Sequence, residues 1–240
     1  MIDTATFSIS NKKKISILLP TLNEEEGLEK TFYSLPRQMI VELGYDLEIL
    51  VIDGGSNDLT RSIATQLDGV KIITEKRKGY GRAYKTGFME ASGDIIVTLD
   101  ADGTYPAELI PGYVQELDRG DIDFISINRF SEMDEGAMTI SHKIGNKILS
   151  FVTHLLYSVD LKDSQSGMWI MKKEFKDSIK LKSDDMSFSE EIKIIAFKYF
   201  RAMELDGRYH NRVGSEKIKT LHEGWQNLKY LFRYRSQLKK

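Results

Sequence analysis

Cysteine is absent from this 240-residue sequence, proline occurs four times and tryptophan twice. Without cysteine there are no disulfides and no thiolate metal sites, and a cytosolic compartment is the expectation. Long apolar runs are missing as well. The longest uncharged one, Ile148 to Val159, is shorter than the ~20 residues a membrane-spanning helix needs. At the N-terminus, Asn11, Lys12, Lys13 and Lys14 interrupt any apolar signal core before the first apolar run begins. Charge of one sign is lacking too: 34 basic residues face 36 acidic ones, and no nucleic-acid partner is expected. Only the end of the chain is lopsided, with Lys229, Arg233, Arg235, Lys239 and Lys240 and no acidic residue among them. Hydrophobic residues at 41% and charged residues at 29% are the proportions of a globular protein with room for one substantial domain.

What is present is an alternation of periods. Apolar runs at 15–19, 47–52, 70–74, 95–99 and 122–127 read as strands, and Met168–Met171 as a short sixth. Between the first five lie helical patterns at 25–43, 58–67, 79–92 and 106–118. Strand–helix alternation of this kind predicts an α/β fold, Rossmann-like, with a mainly parallel sheet. In the second half Ile144, Ile148, Val152, Leu155 and Leu156 recur at helical spacing. Further helices are predicted over 189–202 and 225–238, the last with Trp225, Leu228, Leu231 and Phe232 on one side.

Four of the strands end in polar or glycine-rich strings: P-T-L-N-E at 20–24, D-G-G-S-N-D at 53–58, K-G-Y-G-R-A at 78–83 and D-A-D at 100–102. In a parallel sheet such ends share one edge, where ligands bind. Each string also has a purely structural reading: Asn23 and Glu24 as helix caps, D-G-G-S as a turn, G-Y-G as a helix entrance. The aspartate pair is the most informative, since Asp100 and Asp102 directly follow a buried strand. Two hard carboxylates at that spacing suit a divalent cation, and a cation there suits a diphosphate.

The ordered set resembles family-2 glycosyltransferases of the GT-A fold, and most closely the polyprenyl-phosphate (dolichol-phosphate) branch. The matching strings are I-L-L-P-T-L-N-E-E, V-I-D-G-G-S-N-D-L-T, K-G-Y-G-R-A-Y-K-T-G and G-D-I-I-V-T-L-D-A-D-G-T-Y-P, then I-N-R-F, D-S-Q-S-G-M, F-S-E-E-I, R-V-G-S-E-K-I and L-H-E-G-W. They span about residues 15–235. The resemblance implies a three-layer α/β/α domain over 1–218, followed at 219–240 by a basic, aromatic helix. It implies a nucleoside pocket at Pro20, Leu22, Glu24 and Asp53. Asp100 and Asp102, with Ala101 between them, would bind Mg²⁺ or Mn²⁺ and through it the diphosphate of a UDP- or GDP-sugar. Arg129 and Lys143 would receive a lipid phosphate, and Arg212 and Lys217 would clamp the donor. Two positions depart from the family pattern: Gly54 stands where a second aspartate is usual, and Glu216 separates Ser215 from Lys217.

Transfer to a phosphate needs no strong general base, because a phosphate monoester is already mostly dianionic near neutral pH. The implied reaction is then a single displacement that inverts the anomeric carbon, with Asp102, Arg129 and Glu191 at its centre. Glu190 and Glu191 open a helix, where acidic residues are favourable for electrostatic reasons alone; if the acceptor were a saccharide hydroxyl, one of them would serve as base. A sugar nucleotidyltransferase is a further alternative, though such enzymes usually carry a basic glycine-rich N-terminal loop and this one is acidic. A lipid acceptor would call for peripheral association with the cytoplasmic face of a membrane, for which Trp225, Tyr230, Phe232 and Tyr234 suit an interface. The same segment also reads as a solvated tail helix, and the helix at 144–156 as core.

Overall fold

Ile15, Ile17, Leu18 and Leu19 follow one another without exposure on either face of the sheet, the signature of a central parallel strand. They form β1 (Lys14–Thr21), flanked in parallel by β2 (Asp46–Asp53) and β4 (Ile95–Thr98); β3 (Val70–Thr74) adds on outside β2. The computed structural model describes residues 12–215 and 220–238. Beyond β4 the sheet continues with β6 (Trp169–Lys172), antiparallel to both neighbours, then β5 (Phe124–Met133) and β7 (Ala202–Tyr209), which pair in parallel. The seven-stranded order is β3-β2-β1-β4-β6-β5-β7. Chain direction across the sheet reverses between β1 and β4, so the crevice at their C-terminal ends is the topological switch point where such sheets take ligands.

Helices cover both faces, giving the three layers that the sequence implies. On one face α1 (Leu28–Ser34), α2 (Arg37–Glu42), α3 (Thr60–Gln66) and α5 (Ile110–Arg119) bury Leu28, Phe32, Ile40, Ala64, Val114 and Leu117 against the strands. On the other, α4 (Tyr80–Glu90), α7 (Lys173–Ser178) and α8 (Phe188–Tyr199) bury Tyr84, Phe88, Phe175, Phe188 and Ile192. A third cluster lies where α6 (Ile140–Tyr157) and α9 (Thr220–Leu238) meet α8: Leu149, Tyr157, Ile194, Leu231 and Tyr234.

Several elements differ from the sequence reading. The helix expected over 25–43 is two, because Leu35 is extended ahead of Pro36, as residues preceding proline tend to be. The helix expected from 106 begins as a 3-10 turn, Ala107–Leu109, before α5. The helix expected to run to 202 stops at Tyr199, and Ala202–Tyr209 is strand β7. Strand β5 runs on to Met133, with a register shift against β7 between Asn128 and Glu132. In α6 the packed face is Leu149, Thr153 and Tyr157; Ile144, Ile148 and Leu155, expected in the core, are exposed.

Candidate active site

The C-terminal ends of β1 and β4 and the loop after β7 meet at the switch point. Asp102 is 2% exposed. Its Oδ1 accepts from the Thr104 amide at 3.1 Å and the Thr104 hydroxyl at 2.6 Å, and its Oδ2 pairs with Arg212 Nη1. Arg212 Nη2 reaches across to Glu24 Oε1 at 2.6 Å. The arginine loop is stitched to the aspartate loop through the backbone: His210 N–H donates to the Thr104 carbonyl, and Val213 N–H to that of Asp102, each at 2.9 Å. So two of the four strings expected at the strand ends, those of Glu24 and Asp102, are brought together here, with Arg212 bridging them. Ala101 is buried between the aspartates.

Asp100 lies on the inner side, half-buried, with the Tyr84 hydroxyl 3.4 Å from Oδ1. Loss of hydration, then the neighbouring charge of Asp102, pushes its carboxyl up to about 7, against the pull of Arg212 and Arg129. Burial and a neighbouring carboxylate both disfavour the charged form here, and a cation bound at the pair would favour it again. Among the described residues no three acidic or histidine side chains converge into a metal cage. With Asp100 half-buried and Asp102 paired to Arg212, the pair offers one or two carboxylates, which suits a cation that takes its other ligands from water and phosphate, as Mg²⁺ does.

Next to this lies the ground assigned to the nucleoside. Asp53, at the end of β2 and 2% exposed, accepts the Ser56 amide at 3.0 Å, with Arg61 Nη1 at 4.0 Å from its Oδ2. Asn23, in the left-handed conformation at φ 54°, accepts the Asn57 amide at 2.7 Å and donates its own amide to Ser56 Oγ at 2.8 Å. These bonds lace the loop after β1 to the loop after β2. A cleft of about 410 Å³ opens there, lined by Asn23, Glu25, Glu26, Asn57, Asp58 and Ser215. Pro20 stays within β1 beside Ile52, and Leu22 projects outward, 49% exposed. Beneath, Glu75 donates its amide to the Asp53 carbonyl at 2.8 Å; hydrogen bonds from Arg77, outweighing burial, hold its carboxyl down at about 2.

The residues expected on the acceptor side are distributed differently. Arg129 sits in the register shift of β5, and its Nε and Nη2 form a bidentate pair with Asp163 at 2.7 and 2.9 Å, 5.3 Å over the Tyr209 ring. Nη1 takes no part in that pair. Burial opposes the Asp163 charge, yet Arg129 holds the carboxyl below its usual range. Lys193 donates to the Asp163 carbonyl at 2.8 Å, and Gln165 links Glu190 Oε1 at 2.7 Å to Asn227. Glu191 does other work: fully buried, it accepts the Lys182 and Ser183 amides at 2.7–3.0 Å. That fixes the start of the 182–187 loop against α8 and turns the Glu191 carboxylate into the interior, away from solvent. Lys143, on the first turn of α6 and half-exposed, has no contact with Asp100, Asp102 or Arg129. Lys217 lies outside the described residues.

Sequence reasoning missed Asp163, the partner that sets the state of Arg129, although D-S-Q-S-G drew notice as a string. It also missed two glycines that the site cannot lose. A Cβ on Gly27 would stand 2.7 Å from the Ala101 carbonyl oxygen and 2.8 Å from Asp102 Cα. One on Gly167 would stand 2.5 Å from the Tyr80 hydroxyl and within 3.4 Å of both Asp100 oxygens. Glycine after a short polar string was the only available signal.

Comparison with known proteins places this geometry. Residues 16–179 match the model of Glycosyl transferase family 2. A low-salt glycan biosynthesis hexosyltransferase, Agl6, of Haloferax volcanii is 29% identical over 220 residues, which cover 90% of this chain and 52% of that protein. A dolichol-phosphate mannosyltransferase of Pyrococcus furiosus is 29% identical over 238 residues, 94% of this chain and 65% of that protein. The chain thus spans between half and two thirds of the length of these curated relatives. Among solved structures, glucosyl-3-phosphoglycerate synthase of Mycobacterium tuberculosis, in complex with Mn²⁺, UDP and glucosyl-3-phosphoglycerate, superposes with a TM-score of 0.72 at 21% identity, covering 93% of this chain and 80% of that one. The same enzyme with Mg²⁺ and UDP gives 0.71 at 21% identity, covering 93% and 79%. The fold is that of the GT-A glycosyltransferases.

Proposed function

This chain belongs to Glycosyl transferase family 2, and from that premise we propose that it moves a sugar from a UDP- or GDP-sugar to a polyprenyl phosphate, inverting the anomeric carbon. The observation that carries the proposal is the grouping of Asp100, Asp102, Glu24 and Arg212 at the switch point. The acceptor class draws support from the Pyrococcus furiosus relative, whose name is dolichol-phosphate mannosyltransferase.

Asp100 and Asp102 would hold Mg²⁺ or Mn²⁺, which supplies charge neutralisation for the diphosphate. Asp53, Pro20 and Leu22 bind the nucleoside, and Ala101 keeps the two aspartates in register. Arg212 gives positive charge beside the diphosphate, joined by Lys217. A phosphate oxygen of the acceptor attacks the anomeric carbon while the bond from that carbon to the diphosphate oxygen breaks, and the nucleoside diphosphate leaves with the electron pair. No proton need be removed from a dianionic nucleophile. Arg129 Nη1 and Lys143 orient that phosphate. In this reading residues 1–218 are the catalytic domain, and 219–240 help seat it peripherally on the cytoplasmic face of a membrane.

Purified protein with Mn²⁺ or Mg²⁺, a panel of UDP- and GDP-sugars, and dolichyl or undecaprenyl phosphate should yield an acid-labile glycolipid from one donor. Its absence with every donor, alongside transfer to a saccharide, would overturn the acceptor assignment.

A further inference from the structure

Helix α6 is apolar on two opposite faces. Leu149, Thr153 and Tyr157 pack inward, while Ile140, Ile144, Ile148, Phe151 and Leu155 are each between 52% and 76% exposed. The exposed five are spaced i, i+4, i+8, i+11 and i+15, one continuous stripe of about 22 Å at 1.5 Å per residue. A soluble surface seldom leaves so long an apolar strip uncovered. The charges beside it are mostly of one sign. α6 contains Lys143 and Lys147 and no acidic residue, and α9, packed alongside it, contributes Lys229, Arg233 and Arg235 against Glu223 alone. That is five basic residues and one acidic in two helices of a chain whose net charge is −2. On α9, Trp225 and Phe232 are more than half exposed, with Lys229 Nζ 5.3 Å over the Trp225 ring. No described helix is long and apolar enough to cross a bilayer.

We propose that the α6 stripe is a membrane-insertion face that lies in the plane of an anionic bilayer, with the lysines and arginines of α6 and α9 on lipid phosphates and Ile140, Ile144, Ile148, Phe151 and Leu155 among the upper acyl carbons. The occupant is a lipid surface because apolar side chains ringed by uncompensated positive charge match the two layers of such a surface. The inference deepens the lipid-acceptor reading by naming the element that does the docking: α6 does so, in place of the C-terminal helix alone.

The test uses the full chain and vesicles of phosphatidylcholine and phosphatidylglycerol at 3:1, without donor or acceptor. Wild type should co-sediment with these vesicles and bind pure phosphatidylcholine at least tenfold more weakly. The double variant Ile148→Ser/Phe151→Ser, and separately Ile144→Ser/Leu155→Ser, should lose at least tenfold in partitioning with an unchanged melting temperature. A control at exposed apolar positions elsewhere, Leu59→Ser/Met89→Ser, should bind as wild type does. Equal binding by the stripe variants overturns the proposal. So does a wild-type dimer, in lipid-free buffer, that Ile148→Ser/Phe151→Ser converts to monomer, since the stripe would then cover itself. Failure of glycolipid synthesis, with vesicle binding intact, would refute the acceptor reading and leave this inference standing.

Discussion

The half of the sheet built from β3, β2, β1 and β4 and the half built from β6, β5 and β7 use charge in opposite ways. In the first, carboxylates stand at the strand ends, and burial, then the neighbouring charge of Asp102, raises Asp100. In the second, Arg129, Asp163 and Lys193 are sunk in the interior and joined to each other and to backbone. A charge left wanting a counter-ion is suited to bind a ligand. A charge already matched inside the fold is suited to hold an element in place, and removing its partner leaves it stranded.

The largest expected effect breaks the first half alone. Asp102→Asn should lower sugar transfer by roughly 10²–10³-fold or more, with a melting temperature within a few degrees of wild type, read by turnover and circular dichroism. The second half should show the reverse priority. Asp163→Ala should destabilise the fold by about 3–5 kcal/mol in urea titration, because it strands the buried Arg129 guanidinium. Arg61→Ala, at the exposed rim beside Asp53, should change stability by less than about 1 kcal/mol.

A pH series sharpens the same contrast. Glu190 is lifted from 4.5 to about 8 by burial, and Lys193 is lowered from 10.5 to about 8 by burial against the pull of Asp163. A raised acid stabilises fully below its unfolded pKa and loses that contribution as pH climbs, so stability should fall from about pH 4.5 to 8. A depressed lysine contributes fully above its unfolded pKa and loses that as pH drops, so stability should recover from about pH 8 to 10.5. Glu190→Gln should flatten the acidic limb, by on the order of 5 kcal/mol, in urea midpoints taken across that range. A contact between loops gives an intermediate effect: Gly27→Ala should cost about 1–3 kcal/mol and weaken nucleotide binding, since its methyl would displace the Ala101 carbonyl.

The two halves were also unequally legible. Buried parallel strands read as unbroken apolar runs, and their ends as polar strings, so β1 to β4 and the grouping of Glu24, Asp102 and Arg212 followed from sequence and resemblance. Strand β7 did not, because Met203, Leu205 and Tyr209 alternate with Glu204, Asp206 and Arg208 directly after a helix, and the apolar pattern carried the helix onward. The Arg129–Asp163 pair joins residues 34 apart through a register shift that no local pattern marks. Glu191 looked available because acidic residues at a helix start usually are; its oxygens are taken by the amides of a loop eight and nine residues earlier. In α6, apolar residues occupy two phases of the helical period, and periodicity does not say which phase meets the core.

The central claim is that Asp100 and Asp102 grip the nucleotide diphosphate through a divalent cation. Calorimetric titration of UDP and GDP into wild type and Asp102→Asn, with and without Mn²⁺, addresses it directly. Wild type should bind one of them only with Mn²⁺, and Asp102→Asn should bind it at least tenfold more weakly. Equal affinity with and without the cation, unchanged by the substitution, would contradict it.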